Sequence, residues 1–186
     1  WFKSGTTSGD DQARIISRDC SEHWCIVDKQ DEDYPQKFST VIESTGWEHH
    51  QDLVEEKWHH TALTFTDDGN TKNYITYFDG NAVGSGTLSS TNASRPMVIA
   101  YNTESTPDPN SPFSGNIDDV ALFTSALSDV EVNEIMNSQN INHSSLFAYY
   151  NFNSLANDGV VYNNEQIDDI SGNGYHGHVN IGDNDD

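Results

Sequence analysis

The chain has 186 residues, enough for one domain with a sizeable buried core, and its five Pro, 13 Gly and 11% aromatic content fit a folded chain. Thirty acidic residues against eight basic ones give a net charge of −22, which repels nucleic acid and anionic membranes and excludes both as partners. No apolar run approaches 18 residues, so no membrane-spanning helix and no membrane insertion are expected. The acid excess itself fits four explanations: solubility alone, a halophilic or marine surface, a calcium-rich environment, or a cationic partner.

The chain opens W-F-K, which already reads as strand, with no initiator Met or signal peptide ahead of it. That opening is expected of a piece of something longer. Residues 1–3 and 13–17 read as strands separated by the loop S-G-T-T-S-G-D-D. Cys20 and Cys25 bracket four residues between two apolar runs, so a hairpin would bring them to disulfide distance. A bond there implies an oxidising, exported location; the other reading is two buried thiols.

Residues 38–43 alternate as a half-buried strand, and residues 48–57 read as a polar, charged connection. W-H-H-T-A-L-T-F (58–65) alternates next, then D-D-G-N turns into the strand N-Y-I-T-Y-F-D (73–79). Asp79-Gly80 is a hairpin signal, and Ala82-Val83 starts the return strand. Residues 97–100 form another strand, and residues 103–112 a loop long enough to be functional.

Residues 117–123, entered through Gly115, have apolar side chains on both alternation sets and are expected deep in a sheet. Asp118 and Asp119 open that strand and, in extended chain, point to opposite faces. A short helix follows over residues 128–137. Ser128 and Glu131 make a capping box, Leu127 and Val132 a hydrophobic staple, and Val132, Ile135 and Met136 share one face.

The ordered string G-x-I-D-D-V, a strand, A-L-S and a helix containing E-I resembles the closing motif (114–137) of laminin-G-like and pentraxin-like domains. W-H-H-T-A, with the later strand ending in D-G, is similar to the same family. The resemblance implies an all-β fold: a jelly-roll β-sandwich of two antiparallel sheets with one short helix, of the concanavalin A-like lectin and glucanase class. The family's L-x-I-G after the hairpin is present only as Val98-Ile99-Ala100.

L-F-A-Y-Y-N-F-N (146–153) with D-D-I-S-G-N-G resembles the opening of that family, yet it follows the closing motif, and the family's second strand is missing. Residues 1–145 therefore read as a laminin-G-like sandwich, and 146–182 as family-opening strands out of order. Three readings stand: a circular permutant filling its own sandwich, the start of a second module, or a segment that complements a neighbour. The first is favoured because termini in this fold lie close together.

No catalytic constellation is present: E-x-D-x-x-E, which would pair acid and nucleophile, is absent, as are G-x-S-x-G, H-E-x-x-H and a P-loop. The chain is read as a non-enzyme. His49-His50 and His59-His60 are adjacent pairs whose members point apart in a strand, so neither chelates one ion. Two sequons, at Asn92 and Asn142, matter only in an exporting eukaryotic source.

The acidic turn of Asp168, Asp169, Ser171 and Asn173 supplies the hard oxygens that Ca²⁺ takes, though the same residues make turns without a metal. The family often binds a structural Ca²⁺ beside its closing strand. The resemblance thus implies a Ca²⁺ site built from Asp118 or Asp119 with Asp169, Ser171 and Asn173. It also implies an extracellular or cell-surface recognition module for glycan or protein, beside neighbouring modules of a larger adhesin or carbohydrate-active protein. The rivals are a structural spacer and a divergent polysaccharide-active enzyme. Trp47, Tyr101 and Tyr175 are stacking candidates by residue type.

Overall fold

A computed structural model describes residues 1–5, 13–18, 24–31, 34–42, 47–54, 56–69, 71–88, 97–101, 113–155 and 163–180, with backbone alone at 24–31, 34–36, 47, 49 and 88. Its strands are β1 (Phe2–Ser4), β2 (Ala13–Arg18), β3 (Trp24–Asp31), β4 (Tyr34–Ile42), β5 (Trp47–Asp52), β6 (Trp58–His59), β7 (Thr61–Asp67) and β8 (Lys72–Phe78). They continue with β9 (Asn81–Leu88), β10 (Val98–Ile99), β11 (Gly115–Ile117), β12 (Val120–Phe123), β13 (Leu146–Tyr150), β14 (Gln166–Ile167) and β15 (Gly177–His178). Helix α1 (Asp129–Ser138) lies between β12 and β13.

One layer is the five-stranded antiparallel sheet β10-β2-β3-β4-β5. The other is composite. β1 sits between β11 and β6, β6 runs into β7 across His60, and β11 runs into β12 across Asp118 and Asp119. β7 leads the ladder β7-β8-β9, and β12 pairs with β13.

The core lies between the layers because alternate residues of both face it. Ile15 of β2 and Phe38 of β4 meet Phe2 of β1 and Phe78 of β8, with Leu53 beside them. Phe2 and Phe38 are fully buried and stack with ring centroids 6.2 Å apart; Phe38 and Phe78 lie at 4.8 Å. Full burial of each such side chain contributes about 1.5–3 kcal/mol. Tyr77, on the other alternation set of β8, packs outward against Leu127, ahead of the helix, and Val132 within it.

The helix forms as its sequence dictates. Ser128 Oγ accepts from the Glu131 N–H, the Glu131 carboxylate accepts from the Ser128 N–H at 2.7 Å, and Leu127 and Val132 are both buried. Asp79-Gly80 turns the β8–β9 hairpin with φ of 45° and 78°, and Asn133 Nδ2 donates to the Gly80 carbonyl at 2.9 Å. A Cβ at Gly80 would stand 2.4 Å from Asn133 Oδ1, so both backbone and space require glycine.

Three expectations need correcting. Residues 47–52 are not a connection but strand β5, a polar edge strand whose register on β4 is held by the Lys37–Asp52 ion pair (2.6 Å) and the Thr40–His50 hydrogen bond (2.7 Å). The run 117–123 is not one strand, because Asp119 takes φ 52° and breaks it into β11 and β12. The run 58–65 likewise breaks at His60. The β2–β3 hairpin forms with Arg18 opposite Trp24. The expected disulfide lies outside the described residues, which include neither Cys20 nor the Cys25 side chain.

Candidate functional site

β13 is fastened to the loop 168–176 by one carboxylate. Asp169 is 6% exposed. Its Oδ1 accepts from the N–H groups of Tyr149 and Ser171, and its Oδ2 from the N–H of Tyr175, each at 2.9 Å. Burial alone would push this carboxyl up; the donors of Tyr149, Ser171 and Tyr175 outweigh it and hold the group well below the usual carboxylate range. Gly172 and Gly174, at φ 89° and 80°, let the loop fold back tightly enough for those donors to converge.

Ser171 and Asn173 stitch the loop to the same strand. Ser171 Oγ donates to the Phe147 carbonyl at 3.2 Å, and Asn173 Nδ2 donates to the carbonyls of Phe147 (2.9 Å) and Leu146 (3.1 Å). Tyr175 rests on this base. Its ring stacks on Phe147 at 4.0 Å between centroids, inclined 29°, and the residue is 49% exposed. Its N–H is held by Asp169, and its carbonyl accepts from the Tyr150 hydroxyl at 2.6 Å. Backbone and ring are both fixed while one face of the ring meets solvent.

Tyr149 ties the two acidic regions together. Its N–H goes to Asp169 and its hydroxyl donates to Asp119 Oδ1. Burial, with the Asp119 carboxylate next, pushes the Tyr149 hydroxyl up. Asp118 Oδ1 accepts from the Asp119 N–H at 2.9 Å. Asp119 and Asp169 thus meet on one residue through its two hydrogen-bond donors.

That donor set does not fit Ca²⁺. A calcium ion takes six to eight oxygens at about 2.3–2.6 Å. Here both Asp169 oxygens face N–H groups, and Ser171 and Asn173 spend donors on carbonyls. Among the described residues no group of three or more His, Cys, Asp and Glu could hold a metal ion.

Two of the three stacking candidates lie at opposite edges of one sheet. Trp47 begins β5, at one edge of the five-stranded sheet, and Tyr101 follows β10 at the other edge. Four strand spacings, roughly 19 Å, separate those edges. Tyr101 is 39% exposed, with its carbonyl accepting from Ser17 Oγ, and the Trp47 side chain lies outside the described residues. Among the described residues, Tyr175 is an exposed ring with an aromatic base beneath it.

Sequence reasoning missed three features. Phe147 is the base of that platform, 28 positions away in sequence, and no local signal marks it. Trp58 is 41% exposed with Lys3 Nζ 6.0 Å from its ring centroid; the alternation of W-H-H-T was the available hint. His59 is buried and pairs with Asp79 at 2.9 Å, and burial pushes the neighbouring His60 down to about 4. Both are core histidines.

Among the described residues no helix is long and apolar enough to cross a membrane. No curated protein matches the chain. Among solved structures, a candidate carbohydrate-binding protein from Bacteroides ovatus ATCC 8483 superposes with a TM-score of 0.64 at 14% identity. The match covers 92% of this chain and 48% of that one, so the chain spans about half the length of the protein it resembles. At that identity the likeness shows the fold, a β-sandwich. A laminin-G-type family model matches residues 1–133, and on that match the chain belongs to the concanavalin A-like lectin/glucanases superfamily.

Proposed function

We propose that this chain is a non-catalytic recognition module that binds glycan, in an extracellular or cell-surface protein with further modules. The observation that carries the reading is Tyr175: a half-exposed ring stacked on Phe147, its N–H and carbonyl both tied down. A sugar ring presents apolar C–H faces that stack on such a ring, and a platform already ordered loses little entropy on binding. The superfamily and the description of the Bacteroides ovatus protein support the same reading. So does the absence of E-x-D-x-x-E, the pattern that would pair acid and nucleophile for hydrolysis.

Residues 146–180 are proposed to complete the sandwich of 1–145, since β13 pairs with β12 from Val120↔Tyr150 to Leu122↔Ala148 and, after a register shift, at Phe123↔Leu146. Calcium is not required for that attachment, because hydrogen bonds already make it.

A glycan array with the unmodified chain, Tyr175→Ala and Tyr175→Phe tests the function. Binding is expected to fall by more than about tenfold in Tyr175→Ala, and to persist in Tyr175→Phe, with unchanged melting in both. No bound glycan, or full binding by Tyr175→Ala, would remove Tyr175 as the site.

A further inference from the structure

On β1 the core and the solvent take alternate residues. Phe2 and Ser4 are fully buried, and Lys3 between them stands on the opposite face of the layer. Its cross-strand partners stand there with it. Lys3 pairs with Trp58 of β6 on one side and with Asn116 of β11 on the other. Trp58 and Asn116 are both exposed. An indole ring, an ammonium and an amide therefore form one row across three strands, on the solvent side of the composite layer. The row spans two strand spacings, roughly 9–10 Å.

Lys3 is fixed within that row. Its Nζ pairs with Glu56 Oε2 at 3.3 Å and stands 6.0 Å from the Trp58 ring centroid. The second distance is the outer limit of a cation–π contact, so the carboxylate, not the ring, holds the ammonium. Glu56 is in turn placed by its backbone. Its N–H donates to the Ser4 carbonyl at 3.0 Å, and the Lys57 N–H closes the turn on the Val54 carbonyl at 3.3 Å. Glu56 takes φ 58° in that turn, a left-handed conformation unfavourable for glutamate that the bond to β1 retains.

The exposed indole offers a flat apolar surface, and Lys3 with Glu56 offers a donor and an acceptor side by side. That combination matches a sugar ring, which has an apolar C–H face and hydroxyls that both donate and accept. Charge narrows the class. Lys3 and Glu56 neutralise each other, and the chain as a whole carries −22, so no anionic sugar is drawn to the row.

We infer that Trp58, Lys3, Glu56 and Asn116 form a second glycan subsite, one that takes a neutral oligosaccharide. One sugar ring stacks on Trp58 with its hydroxyls on Lys3 and Glu56, and the next ring along the row reaches Asn116. The inference takes its class of ligand from the glycan reading of Tyr175, but none of its residues.

The test is titration of the isotope-labelled chain with neutral tetrasaccharides of glucose, galactose, mannose and xylose, read at the indole N–H resonances of its four tryptophans. Trp58→Phe assigns the resonance of Trp58. At least one of these probes is expected to shift that resonance, in the unmodified chain and equally in Tyr175→Ala. Lys3→Met, which keeps the stem and removes the donor, is expected to weaken that binding by about fivefold or more with melting little changed. No shift by any probe would overturn the inference. So would a shift that disappears in Tyr175→Ala, or a Lys3→Met variant that melts lower yet binds as well, since Lys3 and Glu56 would then be a structural pair. A Trp58 shift with no effect of Tyr175→Ala on total binding removes the Tyr175 reading and leaves this one standing. Binding lost in Tyr175→Ala with Trp58 silent throughout does the reverse.

Discussion

Glu131 at the helix start and Asp169 in the 168–176 loop are both held below the ordinary carboxylate range by hydrogen bonds, yet they sit in opposite settings. Glu131 is drawn down to about 2, first by the Ser128 hydroxyl, then by the Ser128 N–H and His143. It is partly exposed, and water can replace any of those partners. Asp169 is buried and accepts from three backbone N–H groups at once. A similar titration shift therefore marks a replaceable cap in one region and an organising centre in the other. Burial of the carboxylate decides which, because an unmade hydrogen bond costs most where water cannot reach.

The difference is sharpened by substitution. Asp169→Ala removes three hydrogen bonds to one buried carboxylate, so a loss of about 3 kcal/mol is expected in denaturant unfolding. The same carboxylate predicts a pH dependence. Its folded pKa is depressed below the unfolded value near 3.9, so its contribution is complete above about pH 5 and is lost as pH falls through and below that value. Asp169→Asn, which cannot titrate, should show a flatter decline below about pH 4; parallel acid curves would break the assignment.

Ser128→Ala removes the helix cap and should cost only about 1 kcal/mol, read by the same unfolding curves. A loss as large as that of Asp169→Ala would erase the distinction between the two regions.

The same contrast explains what was readable from sequence. The helix was legible down to its cap, because every partner is local: Ser128 with Glu131, Leu127 with Val132. The strands over residues 38–42 and 61–65 followed from alternation, and the ordered motifs pointed to the superfamily. Asp118, Asp119, Asp169, Ser171 and Asn173 read as one acidic cluster, and Tyr149 bonds to two of them, Asp119 and Asp169. Their chemistry was not legible, since acceptance of N–H groups by Asp169 depends on where Tyr149, 20 positions earlier, lays its backbone. Strand β5 was missed because a polar edge strand lacks apolar alternation. The break at Asp119 was missed because its left-handed φ leaves no compositional mark.

Amide hydrogen exchange at Tyr149, Ser171 and Tyr175, in excess chelator and in millimolar Ca²⁺, tests most directly whether Asp169 fastens residues 146–180 to the sandwich. The account predicts equal protection of all three amides in both conditions, and its joint loss in Asp169→Ala. Protection that appears only with Ca²⁺, or that survives in Asp169→Ala, would contradict it.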